Sequence, residues 1–314
     1  MRILFFGSPD FALPSLRACL ARYAVVGVVT QPDRPAGRGQ RLTPPPVKRL
    51  AERAGVGVFQ PARLREEDWA ERLAPLAPDL AVVVAYGQIL PKTILSLPRL
   101  GCINLHASLL PRYRGAAPIA RAILRGECET GLTTFLMDKG MDTGPILLQI
   151  RVRIEPEETT GELAARLAVE GSHLLLETVE EWSPGRLTPI PQDETLATLA
   201  PRLKKEDGYL SWERPAGEVV NLIRAMNPWP GAAALWEGRR LTFWRARGIE
   251  GARLPPGTLF PAGGSLAIAT GRGGILPVEV QPESRQLMSW EAFLRGHRMA
   301  SGARFEEMKA SAPR

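Results

Sequence analysis

A chain of 314 residues with a net charge of +7, 45% hydrophobic and 23% charged residues, has the size of two domains and the make-up of an ordinary globular protein. These proportions exclude disordered, collagen-like and coiled-coil chains. Cys19, Cys102 and Cys128 are odd in number and form no CxxC pair, which excludes a disulfide framework and fits a reducing cytoplasm.

No apolar run reaches the ~18 residues of a membrane span, and the run after Arg2 is too short for a signal-peptide core, so no membrane is expected. Ile3-Leu4-Phe5-Phe6 reads as a short strand buried on both faces. The turn Gly7-Ser8-Pro9-Asp10 and a helix carrying Leu13, Leu16 and Leu20 follow it. Residues 25–29 and 80–84 are further apolar strands, with helical stretches between. Strands without alternation, separated by helices, give an open, mainly parallel α/β sheet whose ligands bind beyond the carboxyl ends of the strands.

Arg34, Arg38, Arg41, Lys48 and Arg49 lie close together with no acid among them. Residues 201–314 hold 17 Lys or Arg against 11 Asp or Glu, so the positive charge sits in that short run and in the last third of the chain. A polyanion suits such a distribution, because each neutralised phosphate releases counterions. A solvated arginine-rich surface suits it equally.

Residues 102–106 alternate: Ile103 and Leu105 point to one face, Asn104 and His106 to the other. Residues 133–138 and 146–152 read as further strands, antiparallel at one edge. Thr159-Thr160-Gly161-Glu162 is a capping box that opens a helix running to Trp182. Ser183-Pro184-Gly185 and Pro189-Ile190-Pro191 break any regular element. We therefore expect a first domain over 1–183, a linker over 184–205 and a second domain over 206–314. The second contains one helix near 216–226 and short strands at 241–244, 259–260, 266–269 and 275–280, the spacing of a small β-barrel.

Gly37-Arg38-Gly39-Gln40-Arg41-Leu42 lacks the last glycine of a dinucleotide fingerprint, and no GxxxxGK[ST] is present, so neither nicotinamide nor nucleoside triphosphate is expected. His106, His173 and His297 have no metal-ligand spacing, and no metal is expected. No GxSxG surrounds Ser108. What remains is Asn104 and His106 on one face of a strand end, with Asp142 in a glycine-rich turn.

Asn104-Leu105-His106, then Ser108-Leu109-Leu110-Pro111-Arg112-Tyr113-Arg114-Gly115, and downstream Asp138-Lys139-Gly140-Met141-Asp142-Thr143-Gly144-Pro145, together resemble the signature of the folate-dependent formyltransferases. Residues 6–12, 84–91, 223–232 and 288–296 are similar to the members that formylate methionine on initiator tRNA. Ser8 stands where the family often has Thr, and the hydroxyl is kept. The resemblance covers almost the whole chain, including a C-terminal domain expected to be missing from formyltransferases of small molecules.

The resemblance implies a Rossmann-like first domain, a linker and a smaller OB-like β-barrel. The implied co-substrate is 10-formyltetrahydrofolate and the implied partner is initiator methionyl-tRNA, acted on by a cytoplasmic monomer. Asn104, His106 and Asp142 are the implied catalytic residues. Asn104 and a protonated His106 would face the developing oxyanion, and Asp142 would hold His106 in position, with its own part in proton transfer left open. Ser108, Leu109, Leu110 and Pro111 would contact the folate, with Tyr86, Gly87, Gln88, Ile89, Leu90 and Asp138 shaping its pocket. Arg34, Arg38, Arg41, Lys48 and Arg49 correspond to a loop that enters the acceptor end of tRNA. Lys204, Lys205, Arg239, Arg240, Arg245 and Arg247 would track its phosphates. Arg112 and Arg114 would attract either the folate glutamate or the tRNA end. The rival readings are a formyltransferase for a small amine, such as a glycinamide ribonucleotide or an amino sugar, and a hydrolase releasing formate from the same folate. A non-catalytic RNA-binding module is a third, and would leave Asn104, His106 and Asp142 unexplained.

Overall fold

The computed structural model describes residues 1–36, 41–65, 68–251, 253–297 and 299–308. Strand β1 (Arg2–Gly7) leads through α1 (Leu13–Arg22) to its parallel neighbour β2 (Ala24–Val29). A short antiparallel hairpin of β3 (Arg34–Ala36) and β4 (Arg41–Thr43) then precedes α2 (Pro46–Arg53) and β5 (Val58–Phe59). Next come α3 (Trp69–Leu73), β6 (Leu80–Val84), α4 (Lys92–Leu95), β7 (Cys102–His106), α5 (Pro118–Leu124), the antiparallel strands β8 (Glu129–Leu136) and β9 (Ile146–Arg153), and the long helix α6 (Thr160–Trp182).

The sheet order is β5-β2-β1-β6-β7-β8-β9, parallel from β5 to β7 and antiparallel at the β8-β9 edge. From β1 the chain winds outward through β2 and β5, then returns to the other side of β1 to form β6 and β7. The switch point lies between β1 and β6, where open α/β sheets form their ligand crevice. Ile3, Leu4, Phe5, Phe6 and residues 80–84 are buried, as apolar strands covered on both faces must be. Helix α6 packs closely on the antiparallel edge: a Cβ on Gly171 would lie 2.7 Å from Leu105 Cδ2. The Thr134 and Thr178 hydroxyls meet at 2.8 Å.

The second sheet is antiparallel. After α7 (Ala216–Ala225) come β10 (Ala232–Trp236), β11 (Arg239–Ile249), β12 (Leu259–Ala262), β13 (Ser265–Ala269), β14 (Gly274–Pro282), β15 (Met288–Ser289) and α8 (Trp290–His297). The order is β10-β11-β14-β13-β12, with β15 added to β14. Residues 302–306 bond to both edges. Leu235 N–H donates to Glu306 O at 2.9 Å, and Leu259 N–H donates to Ala303 O at 2.8 Å. This last stretch closes the expected barrel, and its Phe305 enters an aromatic core with Trp212, Phe243 and Trp290.

The chain divides into two compact units that interleave in sequence: Met1–Pro118, Glu129–Arg153 and Ala164–Pro201 form one, and Ile119–Cys128, Ile154–Leu163 and Arg202–Arg314 form the other. Residues 119–128 and 154–163, assigned to the first domain by sequence, thus group with the barrel. The bonds that hold them there are local to that unit: Arg121 to Asp207 at 2.9 Å, Thr160 Oγ1 to Ala225 O at 2.8 Å, and Arg224 Nη1 to Glu158 O at 3.2 Å. The capping box forms as expected, with Thr159 N–H donating to Glu162 Oε2 at 2.9 Å.

Phe305→Ala should destabilise the second unit by about 3–5 kcal/mol, the usual cost of emptying a buried aromatic site. Denaturant unfolding followed by tryptophan fluorescence measures this, and a loss under 1 kcal/mol would contradict barrel closure by residues 302–306.

Candidate active site

The period-2 alternation of β7 places Asn104 and His106 on one face while Ile103 and Leu105 are buried on the other. In the ladder Asn104 lies opposite Val83 and Phe135, and His106 lies opposite Thr133. His106 is buried, with Nε2 2.9 Å from the Tyr113 carbonyl oxygen. A carbonyl only accepts, so Nε2 carries the proton. Nδ1 is then the nitrogen left for chemistry, and it faces Asp142 Oδ2 at 3.8 Å.

Asp142 adopts a left-handed backbone at φ 58°, and its Oδ2 also accepts the Gly115 N–H at 2.8 Å. The turn before it is stiffened by Asp138, whose Oδ1 accepts from Gly140 N–H at 2.9 Å and from Thr143 Oγ1 at 2.7 Å. A Cβ on Gly144 would meet Leu136 O at 1.7 Å, so no other residue fits there. Asn104 Nδ2 lies 4.0 Å from Met137 Sδ, too long for a strong bond, and makes no closer one among the described residues. An amide, an imidazole and a carboxylate are thus gathered at the carboxyl end of β7, in the first unit.

The loop after β7 is moulded from beneath. Thr133 Oγ1 donates to Ser108 O at 2.6 Å and accepts from Leu110 N–H at 3.1 Å and from Gln149 Nε2 at 2.8 Å. Gln149 also donates to Leu110 O at 2.9 Å. Ser108 is fully buried, and its hydroxyl donates to Arg112 O at 2.6 Å. Leu109 and Pro111 are half-buried. Thr133 and Gln149 were not singled out by sequence. Thr133 and Gln149 stand opposite each other in the β8-β9 ladder, a pairing that only the register reveals.

After β6, Tyr86 packs edge-on against Phe6, and burial pushes its phenol up from the ordinary value. Leu90 joins the same core. Gln88 is tied down by accepting Leu64 N–H at 2.9 Å and donating to Pro61 O at 3.1 Å. Gly87, at φ 85°, and Ile89, 55% exposed, are the parts of this stretch that face outward. Ser8 joins three strand ends: its hydroxyl donates to Tyr86 O at 3.3 Å and accepts from Gln31 N–H at 3.1 Å.

A family model described as Formyl transferase matches residues 1–179, and one described as Formyl transferase, C-terminal domain, matches residues 202–298. The chain belongs to the formyl transferase family. It is 47% identical over 306 residues to the methionyl-tRNA formyltransferase of Pelotomaculum thermopropionicum, covering 96% of this chain and 97% of that protein. It is 50% identical over 304 residues to the enzyme of the same name from Desulfotalea psychrophila, covering 96% and 94%. Among solved structures, WlaRD, a sugar 3N-formyl transferase crystallised with dTDP and 5-N-formyl-THF, superposes with a TM-score of 0.66 at 16% identity, over 91% of this chain and 99% of that one.

The basic residues of this formyl transferase differ in exposure and in partners. Arg34 and Arg41 are exposed on the β3-β4 hairpin, Arg34 donating to Gln31 Oε1 at 3.1 Å, while Arg38 lies outside the described residues. Arg49, Lys204, Lys205 and Arg239 are exposed. Lys48 is engaged, pairing with Asp33 at 2.9 Å; that bond and one from Gln60 hold the Asp33 carboxyl below its usual range. Arg245 pairs with Glu162 and Glu279, and Arg247 with Glu157 at 3.0 Å. Arg240 is half-buried beside the Pro230 carbonyl, next to the exposed Trp229. Arg114 is buried against Glu194, so its charge is spent inside the protein, whereas Arg112 is exposed over the Tyr113 ring. Among the described residues no group of three or more His, Cys, Asp or Glu could hold a metal ion.

Thr133→Val keeps the shape of the side chain but strips the Leu110 N–H and Gln149 amide of a buried acceptor. The expected loss is about 1–3 kcal/mol of stability in urea unfolding, the cost of a buried unsatisfied group. A neutral substitution would show that the loop holds its shape without Thr133.

Proposed function

We propose that this enzyme transfers the formyl group of 10-formyltetrahydrofolate to the α-amino group of methionine esterified to initiator tRNA. The observation that carries the acceptor is the 46–50% identity, along 96% or more of the chain, to proteins named for that reaction. The second domain cannot carry it alone. Contrary to the sequence expectation, the fold match to a sugar formyltransferase spans 91% of this chain, so a second domain of this fold is not confined to enzymes that act on tRNA.

The amine lone pair attacks the formyl carbon, forming a C–N bond and a tetrahedral centre with a negative oxygen. Collapse breaks the bond to folate N10. One proton must leave the attacking nitrogen and one must reach N10. Asn104 offers uncommitted amide N–H groups to the oxyanion, and such a donor is worth ~10²–10³ in rate. His106, with Nε2–H committed to Tyr113, has Nδ1 to receive the amine proton and return it to N10. Asp142, 3.8 Å from Nδ1, balances the imidazolium charge while the proton resides there.

Leu109, Pro111, Ile89 and the backbone of 86–90 border the folate side. Tyr86, Gln88 and Leu90 shape it from within, and Ser108 and Asp138 fix its loops. Arg34 and Arg41 on the hairpin, Arg38 between them in the sequence and Arg49 on α2 would offer their charges to the tRNA acceptor end. Lys204, Lys205, Arg239 and Arg240 offer cations to its phosphates. Lys48 serves by bracing the base of the hairpin through Asp33. The three reacting side chains come from one chain, so a monomer suffices. No helix among the described residues is long and apolar enough to cross a membrane, and we place the enzyme in the cytoplasm with its tRNA.

The test is transfer of labelled formyl from the folate to methionyl-initiator tRNA, with uncharged tRNA and a nucleotide-linked amino sugar as rival acceptors. Only the charged tRNA should be labelled. Labelling of the sugar, or formate release without any acceptor, would refute the assignment. Asn104→Ala and His106→Ala should each lower kcat by about 10²–10³ with tRNA affinity unchanged, and near-normal turnover in single-turnover assays would remove the residue from the mechanism. Arg41→Ala should raise KM for tRNA and leave KM for folate alone; the reverse pattern would contradict the hairpin's role.

A further inference from the structure

Residues 192–200, a mere connector in the sequence reading, are bonded along their length to the loop that anchors His106. Arg114 N–H donates to Thr198 O at 2.8 Å, and Ala200 N–H donates to Arg114 O at 2.7 Å. Tyr113 N–H donates to Thr198 Oγ1 at 2.9 Å. A Cβ on Gly115 would meet Ala200 O at 2.7 Å, so the two segments approach as closely as backbones can.

The side chains extend this seam to Asp142. The Arg114 guanidinium, only 5% exposed, makes a two-pronged pair with Glu194, both contacts 2.7 Å. It also donates to Gln192 Oε1, from Nε at 3.1 Å and from Nη2 at 2.7 Å. Gln192 Nε2 in turn donates to Asp142 O at 2.9 Å and to Gly144 O at 2.7 Å. Both amide protons and both lone pairs of Gln192 are therefore used, which fixes its orientation. Asp142 is gripped twice, at its carbonyl by Gln192 and at its carboxylate by Gly115 N–H. The left-handed backbone at φ 58° is one that aspartate adopts more readily than most residues, and the two grips hold it there.

We propose that Gln192, braced by the Arg114–Glu194 pair, is a positioning residue that holds the Asp142 carboxylate against His106, so that the segment joining the two family domains is part of the active site. This rests on the reading of Asp142 given above. Gln192 touches no reacting atom. Its effect passes through the 142–144 backbone, and a shift of Asp142 would leave the His106 imidazolium without its counter-charge.

The experiment is a double-mutant cycle in the full-length enzyme, read as kcat and as KM for each substrate. Gln192→Met keeps the length and volume while removing both donors. Asp142→Asn keeps the bond from Gly115 and tolerates the left-handed backbone. Gln192→Met should lower kcat about tenfold, within the coupling range of residues in one network, with both KM values within about twofold of wild type. In the Asp142→Asn background it should lower kcat no further. Independent, multiplying losses would overturn the proposal, as would wild-type turnover in Gln192→Met. Full turnover in Asp142→Asn alone would overturn the catalytic reading of Asp142, and this inference with it. Should Gln192→Met fail to fold, Gln192→Glu keeps the Arg114 bond and sets a carboxylate against the two carbonyls. It must then show the same loss confined to kcat, and wild-type kcat in that variant would likewise overturn the proposal.

Discussion

The hydrogen bond from His106 Nε2–H to the Tyr113 carbonyl, 2.9 Å long, decides which face of the imidazole is free. Because that carbonyl can only accept, the ring cannot turn without losing a buried bond, and Nδ1 is the nitrogen that faces Asp142. The loop offering the carbonyl is itself under constraint. Tyr113 has a left-handed backbone at φ 61°, sustained by the bond from its N–H to Thr198 and by the buried Arg114 beside it. The His106 imidazole thus takes its orientation from residues some ninety positions further along the chain, as well as from its own strand.

The sheet supplies the rest. A parallel strand flanked by β6 and by the antiparallel edge delivers Asn104 and His106 side by side at its carboxyl end. The turn joining β8 to β9 brings Asp142 back to the same place. Polar groups beneath the loop, chiefly Thr133 and Gln149, satisfy backbone atoms that would otherwise be buried without partners. Most polar groups that support the site are paired, while among the described residues the Asn104 amide has only the Met137 sulfur nearby and the buried Tyr86 hydroxyl has no partner.

Much of this was legible in the sequence. The alternation of residues 102–106 puts Asn104 and His106 on one face, and Thr159 with Glu162 announces the start of α6. What escaped was of two kinds. Local signals were masked where packing overrides propensity. Gly131 hides the first half of β8 because Leu109 and the Ile150 carbonyl occupy the space of its Cβ, and Ala232, Ala233 and Ala234 hide β10 because alanine has little strand preference. Long-range pairing was invisible. Nothing in a linear reading links Arg114 to Glu194 or Lys48 to Asp33, so cations offered to a substrate prove to be structural. The prolines at 184, 189 and 191 correctly ended the regular structure, but breaking a helix does not make a segment idle.

The central claim is the protonation pattern of His106, and nitrogen chemical shifts of the imidazole rings in protein labelled at its three histidines test it most directly, with the His106 signals assigned by their absence in His106→Gln. In the neutral ring Nε2 should give the shift of a protonated nitrogen and Nδ1 that of an unprotonated one. A neutral ring protonated at Nδ1 instead would contradict the account at its root.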